Sequence, residues 1–428
     1  MNILHKIILI IIFTLFIKEV KANTLFDSLN SAYLNNPKLN AERASMRSSR
    51  EQKRGAVSEF LPSITISKYV SDQQNTETNG SDSNFESTEK SLTVEQKIFQ
   101  GGYGIANFGK KKIGQSLGEF KLKKVEQEIL LDAAKAHTEL LLNIKKVDIN
   151  LTNIDLLERQ VETNQNRLEK GEISLTDLAQ SESSLAGAQA QLISAQNDLV
   201  TSKANFEKII GKKPPKNINE TKIIDLNLPE SLAAAYRTSS TENPDLQISL
   251  LEYKQAKFDV GIAKSDLLPT ATLQYKIAEQ EDISATIQDR TQQTVTATAT
   301  WPLFAGGNNL FSLRSSHELQ NQKQLLYEDK KNEVETNVAN AWSKYQSSKG
   351  MLNSIKSQVK AAEIANEGIT LEYESEGSRT TLEVIQSRTI LLNSRINLAS
   401  SERDFLISQF NLLASIGKLT AGQLNLKE

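Results

Sequence analysis

The 428-residue chain contains no cysteine. A disulfide-stapled fold is therefore excluded, and so is a lipid carried on an N-terminal cysteine, although an exported chain is free to use either. Histidine is almost as scarce: His5, His137 and His317 are too scattered to form a zinc constellation without thiols. Aromatic residues make up only 6% of the chain and mean hydropathy is negative, which argues against a conventional thick core. Long apolar runs are missing too. The longest, Ile7 to Ile17, falls short of the roughly twenty residues a helix needs to cross a bilayer.

What that run does fit is export. Lys6, the apolar segment and Val20-Lys21-Ala22 have the layout of a secretory signal, with cleavage expected after Ala22. A retained anchor is the competing reading of the same residues. Removing residues 1–22 takes away three lysines and one glutamate, so the formal net charge of −2 becomes −4. Such mild acidity argues against a nucleic-acid partner.

The chain is written twice. "NNPKL" at Asn35 to Leu39 returns as "ENPDL" at Glu242 to Leu246, "LPSIT" from Leu61 as "LPTAT" from Leu268, and "IFQGG" from Ile98 as "LFAGG" from Leu303. Gly171 and Gly377 are each followed 40 residues later by Gly-Lys, at Gly211 and Gly417. The offset stays between 205 and 207, which implies one structural unit in tandem. The expected organisation is a signal peptide 1–22, a first repeat 23–211, a connector 212–229, a second repeat 230–418 and a tail 419–428.

Proline spacing says what the unit contains. Three of the eight prolines lie in the connector, four sit at matched positions of the two repeats, and none falls between 63 and 213. Because an interior proline costs a helix about 3 kcal/mol, very long helices are permitted. Asn36-Pro37 and Asn243-Pro244 each place a cap residue before a first-turn proline and so mark a helix start. Each repeat reads as helix, strand, strand, long helix, turn, helix. Helices are expected at 37–61, 104–170 and 172–211, then at 244–268, 308–376 and 378–417. The longest would measure about 100 Å, and the two shorter helices of a repeat, end to end, would match it.

In the returning helices, Leu178, Leu185, Leu192, Leu199 and Phe206 recur every seven residues, as do Val384, Leu391, Leu398, Phe405 and Leu412. Three positions after each of the second set stands a serine, from Ser387 to Ser415. Such a seam suits antiparallel helices packed side by side, although a soluble bundle would show the same period. Strands are expected at 63–75, 88–99, 270–279 and 292–304. Ala271, Leu273, Tyr275 and Ile277 alternate with polar residues, and Val295, Ala297, Ala299 and Trp301 with threonines, over the length of a tilted membrane strand. Four strands cannot close a barrel, since membrane barrels begin at about eight, and lipid tolerates no open sheet edge. Strands in a membrane would therefore have to be shared between chains, and the count alone does not choose between two chains and three.

The signal segment, the doubled unit, the "NP" openings, "LP" before the first strand, "FxGG" after the second and the "IGK" ending of the returning helix together resemble the TolC family of outer-membrane efflux and secretion channels, over essentially the whole mature chain. The resemblance implies a mainly α fold with membrane β: a homotrimer whose four strands per chain make a shared twelve-stranded β-barrel, continued by a long α-helical coiled-coil barrel across the periplasm. It implies a passive exit duct in the outer membrane for tripartite drug efflux or type I protein secretion. Its partners would be outer-membrane lipid, a periplasmic adaptor protein and an inner-membrane transporter of the ABC or RND type, with no cofactor. The absence of cysteine places the chain nearer the non-lipidated, TolC-proper branch.

Within that resemblance the two turns between long and returning helices form the periplasmic gate. Asp177 matches the acid of the first turn, Arg379 the basic latch and Glu383 the pore-narrowing acid, whereas Gln386 stands where a second acid is expected, which puts a doubled carboxylate ring in doubt. Gly171, Thr176, Gly377 and Thr380 fall on the adaptor-docking turns. Phe99, Gly101 and Gly102 in the first repeat, and Phe304, Gly306 and Gly307 in the second, occupy the strand-to-helix junction. There the glycines would let the backbone swing and the phenylalanines would pack. Neither glycine-rich stretch has the Lys-Ser/Thr of a phosphate loop, so an enzyme is not expected. The alternative class is a secreted coiled-coil structural or adhesin protein without a channel.

Overall fold

A computed structural model describes residues 24–76, 82–215, 218, 226–284, 287–375 and 379–426. The expected signal segment, Gly377 and part of the expected connector lie outside the described residues. The chain divides into two compact units, one of Met1–Asn40, Val125–Asn243 and Glu335–Glu428, the other of Ala41–Lys124 and Pro244–Val334.

The elements run α1 Leu25–Asn35, α2 Pro37–Gly55, a 3₁₀ turn Ala56–Phe60, β1 Ser63–Thr76, β2 Asp82–Gln100, α3 Tyr103–Glu169, α4 Leu175–Ile210, α5 Leu232–Glu242, α6 Pro244–Ser265, β3 Thr270–Ser284, β4 Ile287–Thr300, α7 Asn308–Ser375 and α8 Thr381–Ser415. Helices α3 and α7 contain 67 and 68 residues. The expected first helix is shorter than 37–61, because the backbone tightens into a 3₁₀ turn after Gly55. The strand expected at 292–304 stops at Thr300, while β2 runs on to Gln100. Helices α1 and α5 were not expected at all. They precede the Asn-Pro pairs, and Asn36 and Asn243 close them in extended conformation before the prolines open the next helix.

In the first unit those asparagines have a second task. Asn36 Nδ2 donates to the carbonyl of Ile209 at 3.0 Å and Asn243 Nδ2 to that of Ser415 at 2.8 Å. Each satisfies a last-turn carbonyl of a returning helix that has no partner inside its own helix. The tail beyond α8 also belongs to this unit, with Leu419, Ala421 and Leu424 buried. The seam of the returning helices is a row of small residues beside the large one, whose Leu178, Phe206, Val384 and Leu412 are buried. On α4 the buried row is Ser181, Ala188, Ala195 and Ser202, and on α8 it is Ser387, Ser394, Ser401 and Ser408, while Leu185, Leu192, Leu199, Leu391 and Leu398 remain half-buried. Small side chains let antiparallel helices approach closely, and two of the hydroxyls find partners across the seam: Ser408 Oγ lies 2.8 Å from Ser348 Oγ, and Ser387 Oγ donates to Asn366 Oδ1 at 2.9 Å.

The second unit holds one antiparallel sheet in the order β1-β2-β3-β4. The two hairpins share a register, since Ser63 opposes Glu95 as Thr270 opposes Thr300. Alternation and pairing put Ile64, Ile66, Leu92, Val94, Leu273, Tyr275, Ile277, Val295 and Ala297 on one face. The opposite face carries Thr65, Thr93, Thr294 and an ion pair between Lys276 and Glu89 at 2.6 Å. Among the described residues, β1 and β4 each leave one edge without a strand partner. Glycines in the N-terminal part of α3 accept neighbours closely: Gly109 lies under the Phe258 ring of α6, and Gly118 lies against Ser49 of α2.

Candidate functional site

The gate residues assigned by resemblance fall at the ends of two helical hairpins, α3–α4 and α7–α8, in the first unit. Gly171 ends α3 at φ 74, where its own N–H and that of Glu172 donate to the carbonyls of Leu168 and Arg167, both at 2.9 Å. A left-handed residue closing a helix this way is strained for any side chain but glycine. Helix α4 then opens on a capping box: Ser174 Oγ accepts from the Asp177 N–H while Asp177 Oδ2 accepts from the Ser174 N–H at 3.0 Å and its hydroxyl at 2.7 Å. Helix α8 repeats the device, with Glu383 Oε2 accepting from the Thr380 N–H at 2.8 Å and its hydroxyl at 3.0 Å. Thr380 therefore matches Ser174, not Thr176, which is exposed in the first turn of α4.

Arg379 donates through Nε to Glu372 at 2.6 Å and through Nη1 to Glu383 at 3.1 Å. Within the chain Arg379 is paired with these two acids and not with Asp177. The Ser174 hydroxyl and N–H hold the Asp177 carboxyl below its ordinary range. The Thr380 N–H and hydroxyl, then Arg379, do the same for Glu383, so both carboxylates stay charged into mildly acid conditions. Gln386 is exposed one turn further along α8.

Sequence reasoning missed the centre of this site. Asn164 of α3, fully buried, donates from Nδ2 to Ser181 Oγ of α4 at 2.6 Å. Its Oδ1 accepts from Gln160 Nε2 at 3.0 Å and from the Tyr373 hydroxyl of α7 at 2.8 Å. That hydroxyl is also 3.3 Å from Thr381 Oγ1 on α8. Three helices thus meet on one asparagine, the fourth joins through the Tyr373 hydroxyl, and the Tyr373–Asn164 bond is a link between the two hairpins. The Arg167 guanidinium lies 4.7 Å from the Tyr373 ring centroid. Lower on the same helices, Arg388 of α8 donates to the backbone carbonyl of Leu156 at 3.2 Å, a second link. A signal existed: Arg167 and Tyr373 are equivalent positions of the two repeats, as are Asn164 and Thr370, and the repeats differ in chemistry there.

At the strand-to-helix junction, Gly101 and Gly102 have φ of 60 and 90, and Gly306 and Gly307 of 62 and 82. Each doublet makes a turn that residues with a Cβ rarely adopt. Within the single chain Phe99 is 47% and Phe304 86% exposed. Among the described residues, no three His, Asp or Glu are grouped to hold a metal, and no helix is long and apolar enough to cross a membrane.

A four-stranded sheet with two open edges, running into helices of 67 and 68 residues, is the fold of solved outer-membrane channels. The crystal structure of the Campylobacter jejuni CmeC outer membrane channel has a TM-score of 0.82 at 14% identity, over 92% of this chain and 86% of that one. By sequence, the outer membrane efflux protein BepC of Brucella suis biovar 1 (strain 1330) is 26% identical over 95% of this chain and 88% of its own length. The outer membrane protein TolC of Escherichia coli (strain K12) is 22% identical over 94% and 84%. The model of the family described as "Outer membrane efflux protein" matches residues 28–212 and 235–418, and the chain belongs to that family. It is an outer-membrane efflux duct that extends into the periplasm, not an enzyme and not a secreted filament.

Proposed function

We propose that three copies assemble into one duct, in which twelve strands close a barrel in the outer membrane and the helices continue it through the periplasm. The two open sheet edges carry this reading, because a membrane sheet cannot leave them unpaired and four strands are too few to close. The duct is passive. A periplasmic adaptor protein and an inner-membrane ABC or RND transporter supply the energy and the cargo, for drug efflux, type I protein secretion or both. The turns that carry Gly171, Thr176, Gly377 and Thr380 dock the adaptor; Gly171, Thr176 and Thr380 are exposed in the chain.

The gate lies at the same turns. Within each chain the Tyr373–Asn164 bond joins the hairpins, and between copies Arg379 latches to Asp177 after exchanging one of its present partners, Glu372 or Glu383. An exposed ion pair is worth only about 0 to 1 kcal/mol, so a single latch is weak, but three symmetry copies add to a bias that an adaptor can still undo. Fractionation followed by planar-bilayer recording tests the reading. Material that needs detergent to leave the outer membrane and conducts ions supports it, and a soluble, non-conducting product overturns it.

A further inference from the structure

The two repeats supply a copy, inside one chain, of the seam that two chains would make. Residues of β1 map onto β3 with an offset of 207, as Leu61-Pro62 maps onto Leu268-Pro269, and residues of β2 map onto β4 with 205, as Phe99 maps onto Phe304. These offsets carry the pair Ser63 and Glu95 onto the pair Thr270 and Thr300, so the hairpins superpose in register. The β2–β3 ladder is then the template for β4 against β1 of a second copy.

The template also explains where β4 stops. Beyond Glu95, β2 no longer faces β1, and it stays a strand because Gln96, Lys97, Phe99 and Gln100 pair with Leu273, Thr272, Ala271 and Thr270. The equivalent residues from Trp301 to Ala305 have no such partner in the chain, and β4 ends at Thr300. Exposure follows the same line. Ile66, with a strand on one side only, is 83% exposed, whereas its equivalent Leu273, flanked by both β2 and β4, is 41%.

Resting on the proposed trimer, we infer that β4 pairs with a partner's β1 in one defined register. Thr300 opposes Ser67 of the partner subunit, Ala299 opposes Lys68 of the partner subunit, and Trp301 opposes Ile66 of the partner subunit. The strand then continues past Thr300 to a bulge, and Phe304 meets Ile64 of the partner subunit. Two independent features agree with this alignment. It keeps the apolar residues Ala297, Ala299 and Trp301 on the same face as Ile66 and Val70 of the partner subunit, whereas a one-residue slip would turn them to the opposite face. It also puts Pro302 at the place of Lys97, beside the register shift between Lys97 and Phe99, where a residue without an N–H is tolerated.

The absence of cysteine makes the test clean. Paired antiparallel residues have Cα atoms about 4.5 or 5.5 Å apart, within disulfide reach, while a two-residue slip exceeds it. The double variants Ser67→Cys/Thr300→Cys and Lys68→Cys/Ala299→Cys cover both pair geometries and both sheet faces. Within one chain β1 and β4 lie at opposite edges of the sheet, so any disulfide must join two chains. Mild oxidation in the membrane should convert most of either variant into a covalent trimer on a non-reducing gel, and the slipped pair Tyr69→Cys/Thr300→Cys should stay uncoupled. Coupling of the slipped pair instead, in a particle that native mass spectrometry counts as three chains, overturns the register and leaves the trimer standing. A one-chain particle overturns both.

Discussion

Replacing Tyr373 by Phe removes one hydroxyl and keeps the ring over which Arg167 lies. The hydroxyl donates to Asn164 Oδ1 at 2.8 Å, and both residues are buried. Such a bond contributes about 1 kcal/mol net; Asn164 Oδ1 keeps the donor Gln160 Nε2, and the Thr381 hydroxyl, which loses its 3.3 Å partner, sits on the same hairpin as Tyr373 and so bears equally on the closed and open states. If opening separates the hairpins in all three chains together, the closed state loses about 3 kcal/mol, roughly two decades in the open-to-closed ratio. Single-channel recording of the purified channel reads that ratio directly. Ser181→Ala is the control, since it removes a bond of Asn164 inside one hairpin and should leave the ratio unchanged while costing similar stability. The reasoning is refuted if Tyr373→Phe gates like wild type, or if Ser181→Ala opens the channel equally well.

Other consequences follow from the same structure. Glu383→Gln should lower cation preference, seen as a shifted reversal potential in a salt gradient. Because the Thr380 cap and Arg379 hold the Glu383 carboxyl below its ordinary range, wild-type preference should persist at pH values where a free glutamate is half protonated, about 4.3. His137 is fully buried, with Nδ1 2.9 Å from Ser28 Oγ, and burial pushes its pKa down to about 4. The unfolded chain therefore binds the extra proton first: stability is complete above about pH 6.5 and is lost as pH falls toward 4, by about 3 kcal/mol, and His137→Leu should flatten that part of a pH–melting curve. Gly109→Ala drives a methyl into the Phe258 ring and should cost about 1 to 3 kcal/mol, whereas Gly187→Ala on α4, with open space around it, should gain about 0.5 to 1 kcal/mol in urea unfolding.

The duplication was legible because its marks are backbone marks. Asn-Pro openings, Leu-Pro before a strand and glycine doublets after one are required by local geometry, so they survive in both repeats and locate the junctions. Helices α1 and α5 were not legible, because 11 residues give too few turns for a periodic pattern to stand out. The serine row of the returning helices was visible as a seven-residue period, but how deeply each of the two adjacent rows is buried depends on how closely the helices approach, which the period does not give. At the hairpin ends, the capping boxes were written in the sequence as Ser174-x-x-Asp177 and Thr380-x-x-Glu383, and they give both acids a local structural task. Asn164 and Tyr373 carried no local mark. They meet from positions 209 apart, and only a search for where the repeats differ, rather than agree, singles them out.

The claim on which the account turns is that three chains make one barrel. Native mass spectrometry of the particle extracted from the outer membrane in mild detergent measures it most directly. Three mature chains per particle is the predicted result, and a particle of one, two or four chains contradicts the twelve-stranded closure.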